Sequence, residues 1–294
     1  MPSFAAARAY NATVNLANKR FLVVGGTSGI GQATALKLAS LHASISVAGR
    51  NATAGSTLVA QLSDLNPKGH HEFLPIDMTL MKDIRRFAAA YRNTYTELNG
   101  LVISAGFMTM KGRTETVEGI DQKMAVHYYG RALLIKELLP LLEAASEKGE
   151  DSRVLSIFAA GLGGPIHFED LDLKTTYNLK TTAEATSGYN DLLVNELSIR
   201  HPSISFMHIA PGVIETPLTK NLPLYLRVPA KILAKLMANS PDECAEIMTY
   251  VLTSDQYKRG WWLLSDKGEP LKPQKYHTDE AREAVWKHTN SLIG

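Results

Sequence analysis

Short apolar runs alternate along this chain with longer stretches in which apolar residues recur every three or four positions, the pattern of parallel strands joined by crossover helices. Seven runs read as strands: FLVVG from Phe21, SISVA from Ser44, EFLPI from Glu72, GLVIS from Gly100, RVLSIF from Arg153, ISFMHI from Ile204 and WWLL from Trp261. The segments between them carry helical periodicity, among them GQATALKLASL, MKDIRRFAAAYRNTY and the long run from Val117 to Ala145. Right-handed crossovers with helices on both faces then give an α/β fold, a doubly wound seven-stranded parallel sheet of Rossmann type. Its ligand crevice is expected outside the carboxyl ends of the strands, where strand order reverses. No repeat, low-complexity tract or linker interrupts the pattern, so a single domain spanning 1–294 is expected.

Composition narrows the partners. The chain is 45% hydrophobic, ample for a core, and its 31 basic against 29 acidic side chains give a net charge of +2. That is no footprint for nucleic acid. The lone cysteine, Cys244, excludes an internal disulfide and fits a reducing compartment. The first residues lack the apolar core of a signal peptide, and no run approaches a membrane span. A soluble cytoplasmic protein is the expectation, and no metal-ligand pattern stands out.

The first strand runs into Gly25-Gly26-Thr27-Ser28-Gly29-Ile30-Gly31, which opens onto a helix near Gln32. Glycines at this junction permit a tight turn, let a pyrophosphate approach bare backbone and allow close helix-to-strand contact. The helix N-terminus adds unpaired N–H groups and a positive dipole end. At the end of the second strand, where a carboxylate would hold the ribose hydroxyls of NAD, stands Gly49-Arg50-Asn51. A guanidinium suits a 2′-phosphate, and Ser28 adds a hydroxyl donor. The expected cofactor is NADP(H).

With these residues in view, the sequence resembles the short-chain dehydrogenase/reductase family, and more closely its retinol-dehydrogenase-like branch. The resemblance runs nearly end to end. GGTSGIG resembles the family's cofactor loop, Asp77-Met78 its adenine contact after the third strand, and Ser104-Ala105-Gly106 its Asn-Ala-Gly segment. Pro211-Gly212-Val213 with Thr216 resembles the segment that holds the nicotinamide carboxamide, and GGPIHFEDLDL and the C-terminal EAREAVWKHTNSLI also resemble that branch.

The resemblance implies chemistry by an asparagine, a serine, and a tyrosine followed four residues later by a lysine that lowers the tyrosine's pKa. Here the asparagine position falls on His127 and the serine position on Ala159. Aligned through its ELSIR end, the helix TTAEATSGYNDLLVNELSIR places Ala183 and Ser187 at the tyrosine and lysine positions, and no tyrosine in the chain has a lysine four residues on. Loss of a positioned acid costs about 10²- to 10⁴-fold in proton transfer, so another group has moved in or the reaction has changed.

Several side chains are candidates, each with a structural alternative. His127 relays or donates a proton, or fills the asparagine's space. Ser187 touches the nicotinamide ribose or fills a gap. Arg131, four residues after His127, orients a substrate carbonyl or carboxylate, or pairs at the surface. Asp170 and Asp172 supply a carboxyl donor or a counter-ion, or cap loops. Lys180 or Thr186 faces the pocket, or Lys180 is a solvated charge. The basic, apolar stretch around 217–240 reads as a lid over a hydrophobic small molecule, although a membrane-surface contact or a homo-oligomer contact fits the same pattern. Trp261 and Trp262 are expected in the core and at an oligomer interface. Three functions compete: an NADP(H)-dependent reductase of a hydrophobic carbonyl or imine with a non-standard proton donor; a repurposed catalyst of an isomerisation or cycloaddition, as some fungal members of the family behave; and a silent nucleotide-binding protein.

Overall fold

A computed structural model describes residues 4–214 and 239–294 of the chain. The expected lid around 217–240, and Thr216 with it, falls almost wholly outside the described residues. Seven parallel strands form one sheet: β1 (Arg20–Val24), β2 (Ser44–Gly49), β3 (His71–Pro75), β4 (Gly100–Ile103), β5 (Arg153–Ile157), β6 (Ser205–Ile209) and β7 (Gly260–Leu264). Their order is β3-β2-β1-β4-β5-β6-β7. The reversal therefore lies between β1 and β4, the point at which such sheets open a ligand crevice. All seven expected strands are present, with ends displaced by about a residue. The apolar runs of β1, β2, β4, β5 and β6 are buried, as a sheet covered on both faces requires, while the edge strands β3 and β7 are largely half-buried.

Two apolar cores flank the sheet. On one face α4 (Met81–Thr94), α6 (Gly130–Glu147) and α7 (Leu179–Arg200) pack with the C-terminal helix α9 (Asp279–Ile293). On the other lie α2 (Gly29–Ser40), α3 (Ala52–Leu65), α8 (Pro241–Thr253) and an N-terminal helix, α1 (Phe4–Asn11), which the sequence pattern does not announce. Helix α1 owes its place to tertiary bonds: Asn11 Nδ2 donates to Glu246 Oε2 at 2.7 Å, and the Tyr10 hydroxyl donates to the Thr253 carbonyl at 3.0 Å. Trp261 and Trp262 are half-buried in β7.

The long helical run after β4 is not one uniform helix. A short α5 (Gln122–Met124), capped by the Asp121 carboxylate, passes into a π-helical turn at Ala125–Tyr129 and then into α6. A π turn inserts one residue into the helical repeat and is frequent at functional sites. Here it carries His127 and delivers Arg131 to the first turn of α6.

Candidate functional site

A cleft of about 680 Å³ runs across the switch point, within the size range of small-molecule and cofactor sites. At one end lies the glycine loop. Gly25 adopts φ +82°, and a Cβ there would stand 2.4 Å from the Ala105 nitrogen. At Gly31 a Cβ would stand 2.5 Å from the Gly25 carbonyl oxygen, so the loop closes only on glycine. Ser28 is the N-cap of α2 but makes no side-chain capping bond, leaving its hydroxyl uncommitted to the helix. Of the expected nucleotide contacts, Gly25, Thr27, Ser28, Gly29, Ile30, Arg50, Asp77, Met78, Ser104, Ala105, Gly106 and Pro211 line the cleft, whereas Gly31, Gly212 and Val213 do not.

Arg50 is exposed at the rim and has no ion-pair partner among the described residues. Asn51 next to it is occupied, accepting from the Ala54 N–H as the cap of α3. Asp77 Oδ1 accepts from the N–H and hydroxyl of Thr79. The cleft-lining residues thus include three cations, Arg50, Lys123 and Arg131, and one carboxylate, Asp77, a charge balance that fits the phosphates of a dinucleotide.

At the other end the wall is apolar: Phe107, Met108, Met110, Phe158 and Leu179. His127 sits in this corner, stacked on Phe158 with ring centroids 4.7 Å apart and flanked by Phe107. The Phe107 N–H donates to its Nε2 at 3.3 Å, which places the ring hydrogen on Nδ1, and Nδ1 has no partner among the described residues. Burial, reinforced by the charges of Arg131 and Lys123, pulls the imidazole down to about 3. The candidate proton relay is therefore neutral throughout the ordinary range. In filling the asparagine's space, its ring accepts from the Phe107 N–H.

Helix α7 presents Leu179, Thr182, Ala183 and Thr186 to the cleft, spaced by three and four residues as one helical face requires. Ala183, in the tyrosine position, is exposed there and offers no hydroxyl. The Thr182 and Thr186 hydroxyls donate to carbonyls of Asn178 and Thr182 in their own helix. Ser187 is buried and does not line the cleft, so its expected contact with a ribose does not fit the geometry. Lys180 points to solvent beside Glu184, 3.7 Å away.

The loop carboxylates also lie elsewhere. Asp170 is outside the cleft, and its oxygens accept from the Lys174, Thr175 and Thr176 N–H groups and from both threonine hydroxyls. Burial is the largest single influence and opposes ionisation, but the bonds from Thr175 and Thr176 together outweigh it and hold the carboxyl well below the usual range. This describes a loop brace and not a proton donor. Asp172 pairs with Lys174 at 2.8 Å.

Two constellations escaped the sequence pattern. Lys123, buried and lining the cleft, donates from Nζ to the carbonyls of Lys111 (2.8 Å) and Gly112 (3.2 Å) and to the Tyr177 hydroxyl (2.6 Å), tying the loop after β4 to the approach of α7. Its one sequence signal is a charged residue inside the apolar run KMAVHYY. Behind Ala159, the Asp191 carboxylate of α7 is fully buried. His208 Nδ1 donates to it at 2.6 Å, the Tyr276 hydroxyl at 2.8 Å, the Gly161 N–H at 3.1 Å and His277 Nε2 at 3.2 Å. His208 Nε2 accepts from the Ala159 N–H at 3.1 Å, so the loop in the serine position hangs on this network.

A sequence model described as short chain dehydrogenase matches residues 19–224. An oxidoreductase of Emericella nidulans is 37% identical over 224 residues, 75% of this chain and 66% of its own, so the chain covers a little under two thirds of that relative. A mouse polyprenol dehydrogenase is 28% identical over 279 residues, 93% of this chain and 83% of its own. An uncharacterised protein of Mycobacterium paratuberculosis has the same fold, with a TM-score of 0.70 and 19% identity over 96% of both chains. Over most of its described length, then, this chain belongs to the short-chain dehydrogenase/reductase family.

Proposed function

We propose that the protein is an NADPH-dependent reductase of a carbonyl or imine carried by a hydrophobic small molecule, working without the family's tyrosine. The observation that carries this reading is the continuity of one cleft from the glycine loop and Arg50 to the apolar corner at His127. A bound nicotinamide would supply hydride. The chain's own contribution at the substrate is an apolar wall and a neutral imidazole whose Nδ1–H is uncommitted. A neutral N–H placed in a site with two buried cations polarises a carbonyl as an electrophile without first becoming imidazolium, and the alkoxide left by hydride addition takes its proton from water. Arg50 and the Ser28 hydroxyl support the choice of the phosphorylated cofactor. The mouse relative, named for an isoprenoid alcohol, agrees with an apolar substrate.

Alanine at both 159 and 183 favours a second reading, in which the same pocket holds a substrate for a non-redox isomerisation or cycloaddition. One assay separates them. Purified protein with NADPH and a panel of apolar aldehydes, ketones and imines should lose nicotinamide absorbance as product forms. Product without that loss supports the second reading, and binding of NADPH with no product from any member of the panel overturns both.

A further inference from the structure

The lysine missing from α7 removes a positive charge from the site, yet the cleft floor holds one supplied by a different helix. Arg131, in the first turn of α6, is 1% exposed and lines the cleft. Its Nη1 donates to Ser156 Oγ at 2.7 Å and to the Ile157 carbonyl at 3.0 Å, and Nη2 donates to the Ala105 carbonyl at 2.7 Å. These acceptors stand at the carboxyl ends of β4 and β5, on the side where the cleft opens. No carboxylate pairs with the guanidinium among the described residues, and its Nε is buried without any partner. The nearest compensation is the Phe158 face, 5.2 Å from Cζ.

Taking a guanidinium out of water is costly, and carbonyl dipoles return only part of that cost. Burial pulls this one down to about 9, which leaves it charged at neutral pH. A guanidinium has five N–H donors; Ser156, Ile157 and, at 3.4 Å, the Ile103 carbonyl share the two on Nη1, and Ala105 takes one on Nη2. Of the two left, one lies on Nη2, at the edge beside cleft-lining Ala105.

Position completes the case. Ser156 Oγ donates in turn to Asn190 Oδ1 at 3.2 Å, and Asn190 lies one turn beyond Ser187 on α7. The guanidinium is thus two hydrogen bonds from the helix that carries the lysine in the family pattern, while Ser187 itself is buried away from the cleft.

We propose that Arg131 stands in for the absent lysine as a positioning cation, holding the ribose on the nicotinamide side of the cofactor from the cleft floor. The ribose hydroxyls offer acceptors for the spare Nη2 hydrogen, and the charge persists where the family pattern has an ammonium. This inference rests on the dinucleotide reading of the cleft, and the test separates the two.

Full-length protein, wild type and Arg131→Met, is titrated by calorimetry with NADPH and with adenosine 2′,5′-bisphosphate, which carries the adenine-side ribose and 2′-phosphate but no nicotinamide ribose. Arg131→Met should weaken NADPH roughly 10- to 100-fold, the range of a lost charged hydrogen bond, and leave the bisphosphate within about 2-fold. Arg131→Gln, which keeps a donor for the strand-end carbonyls without the charge, should give the same split and carries the test if the methionine variant does not fold. Equal weakening of both ligands, or of neither, overturns the assignment. Wild-type protein that binds neither ligand overturns the dinucleotide reading itself.

Discussion

Arg50 and His127 are the residues on which cofactor choice and chemistry turn. Arg50 has no partner of its own among the described residues, so its replacement leaves the fold untouched and removes only what it gives a ligand. Arg50→Ala should weaken NADPH about 10- to 100-fold, in line with one or two charge-assisted bonds, and NADH by no more than about 2-fold. Equal losses for the two cofactors in calorimetry would remove the 2′-phosphate assignment. For His127 the prediction concerns pH. Folding lowers its pKa from 6.5 to about 3, so the unfolded chain binds a proton that the folded one refuses. The folded state has its full stability from this site above about pH 6.5 and loses it progressively as pH falls toward 3. Between pH 7 and pH 5 the loss is about 2 kcal/mol. His127→Phe keeps an aromatic ring between Phe107 and Phe158 but cannot titrate. Its urea-unfolding stability should therefore fall about 2 kcal/mol less than the wild type's over that interval, while turnover falls by roughly 10²-fold for want of the N–H. An unchanged pH dependence would show that the buried imidazole is not neutral, and unchanged turnover would make it a filler.

Among the elements, the Asp191 network joins α7, β6, the loop after β5 and the segment before α9. Burial raises the Asp191 pKa, but His208 first, and then His277 and Tyr276, more than offset this and bring it to about 2. The carboxylate therefore contributes at every pH above the unfolded value of 3.8 and fails only as pH falls through about 2. Asp191→Ala would leave two histidines and a tyrosine hydroxyl without their acceptor and should cost roughly 3 kcal/mol in denaturant unfolding, whereas Asp191→Asn should cost less. A change under about 0.5 kcal/mol would mean that water replaces the carboxylate without loss. The network also shows what a sequence pattern reaches. Strands and helices were legible because burial imposes a local period, and the glycine loop because a pyrophosphate site requires bare backbone at fixed offsets. Asp191, His208 and Tyr276 share no period or spacing. Nor do Lys123 and Tyr177, which are 54 residues apart and meet through tertiary folding alone. Arg131 was visible as a residue on the face of His127, but its burial without a carboxylate was not, because that depends on where β4 and β5 end. Helix α1 was missed for a similar reason: its place is set by Glu246 and Thr253, more than 230 residues away.

The whole molecule divides its labour about the switch point. The phosphate side is built from β1, β2 and β3 with α2 and α3, and its glycine loop closes on backbone at the ends of β2 and β4, at Ala48 and Ala105. The substrate side depends on the C-terminus. Tyr276 and His277 reach Asp191, the Tyr128 hydroxyl meets Thr289 Oγ1 at 2.6 Å, Tyr129 meets His288 Nε2 at 2.8 Å, and Arg282 pairs with Glu196 at 2.8 Å. Ala281, Val285 and Ile293 of α9 are buried in the same core as Tyr128, Tyr129 and Tyr189. A chain ending at Lys272 loses all of these supports at once but none of the contacts that form the glycine loop. Hydrogen exchange on that truncated protein should therefore show protection reduced by more than about 10-fold in the π turn at Ala125–Tyr129 and along α7, while amides of β1 and β2 remain as protected as in the full chain. NADPH should bind the truncated protein more weakly than adenosine 2′,5′-bisphosphate does relative to the full chain, since only the nicotinamide side lies near the loosened elements. Uniform loss of protection across the sheet would instead show that the two sides unfold as one cooperative unit. In that case the C-terminal helix supports the phosphate loop as well as the pocket beside His127.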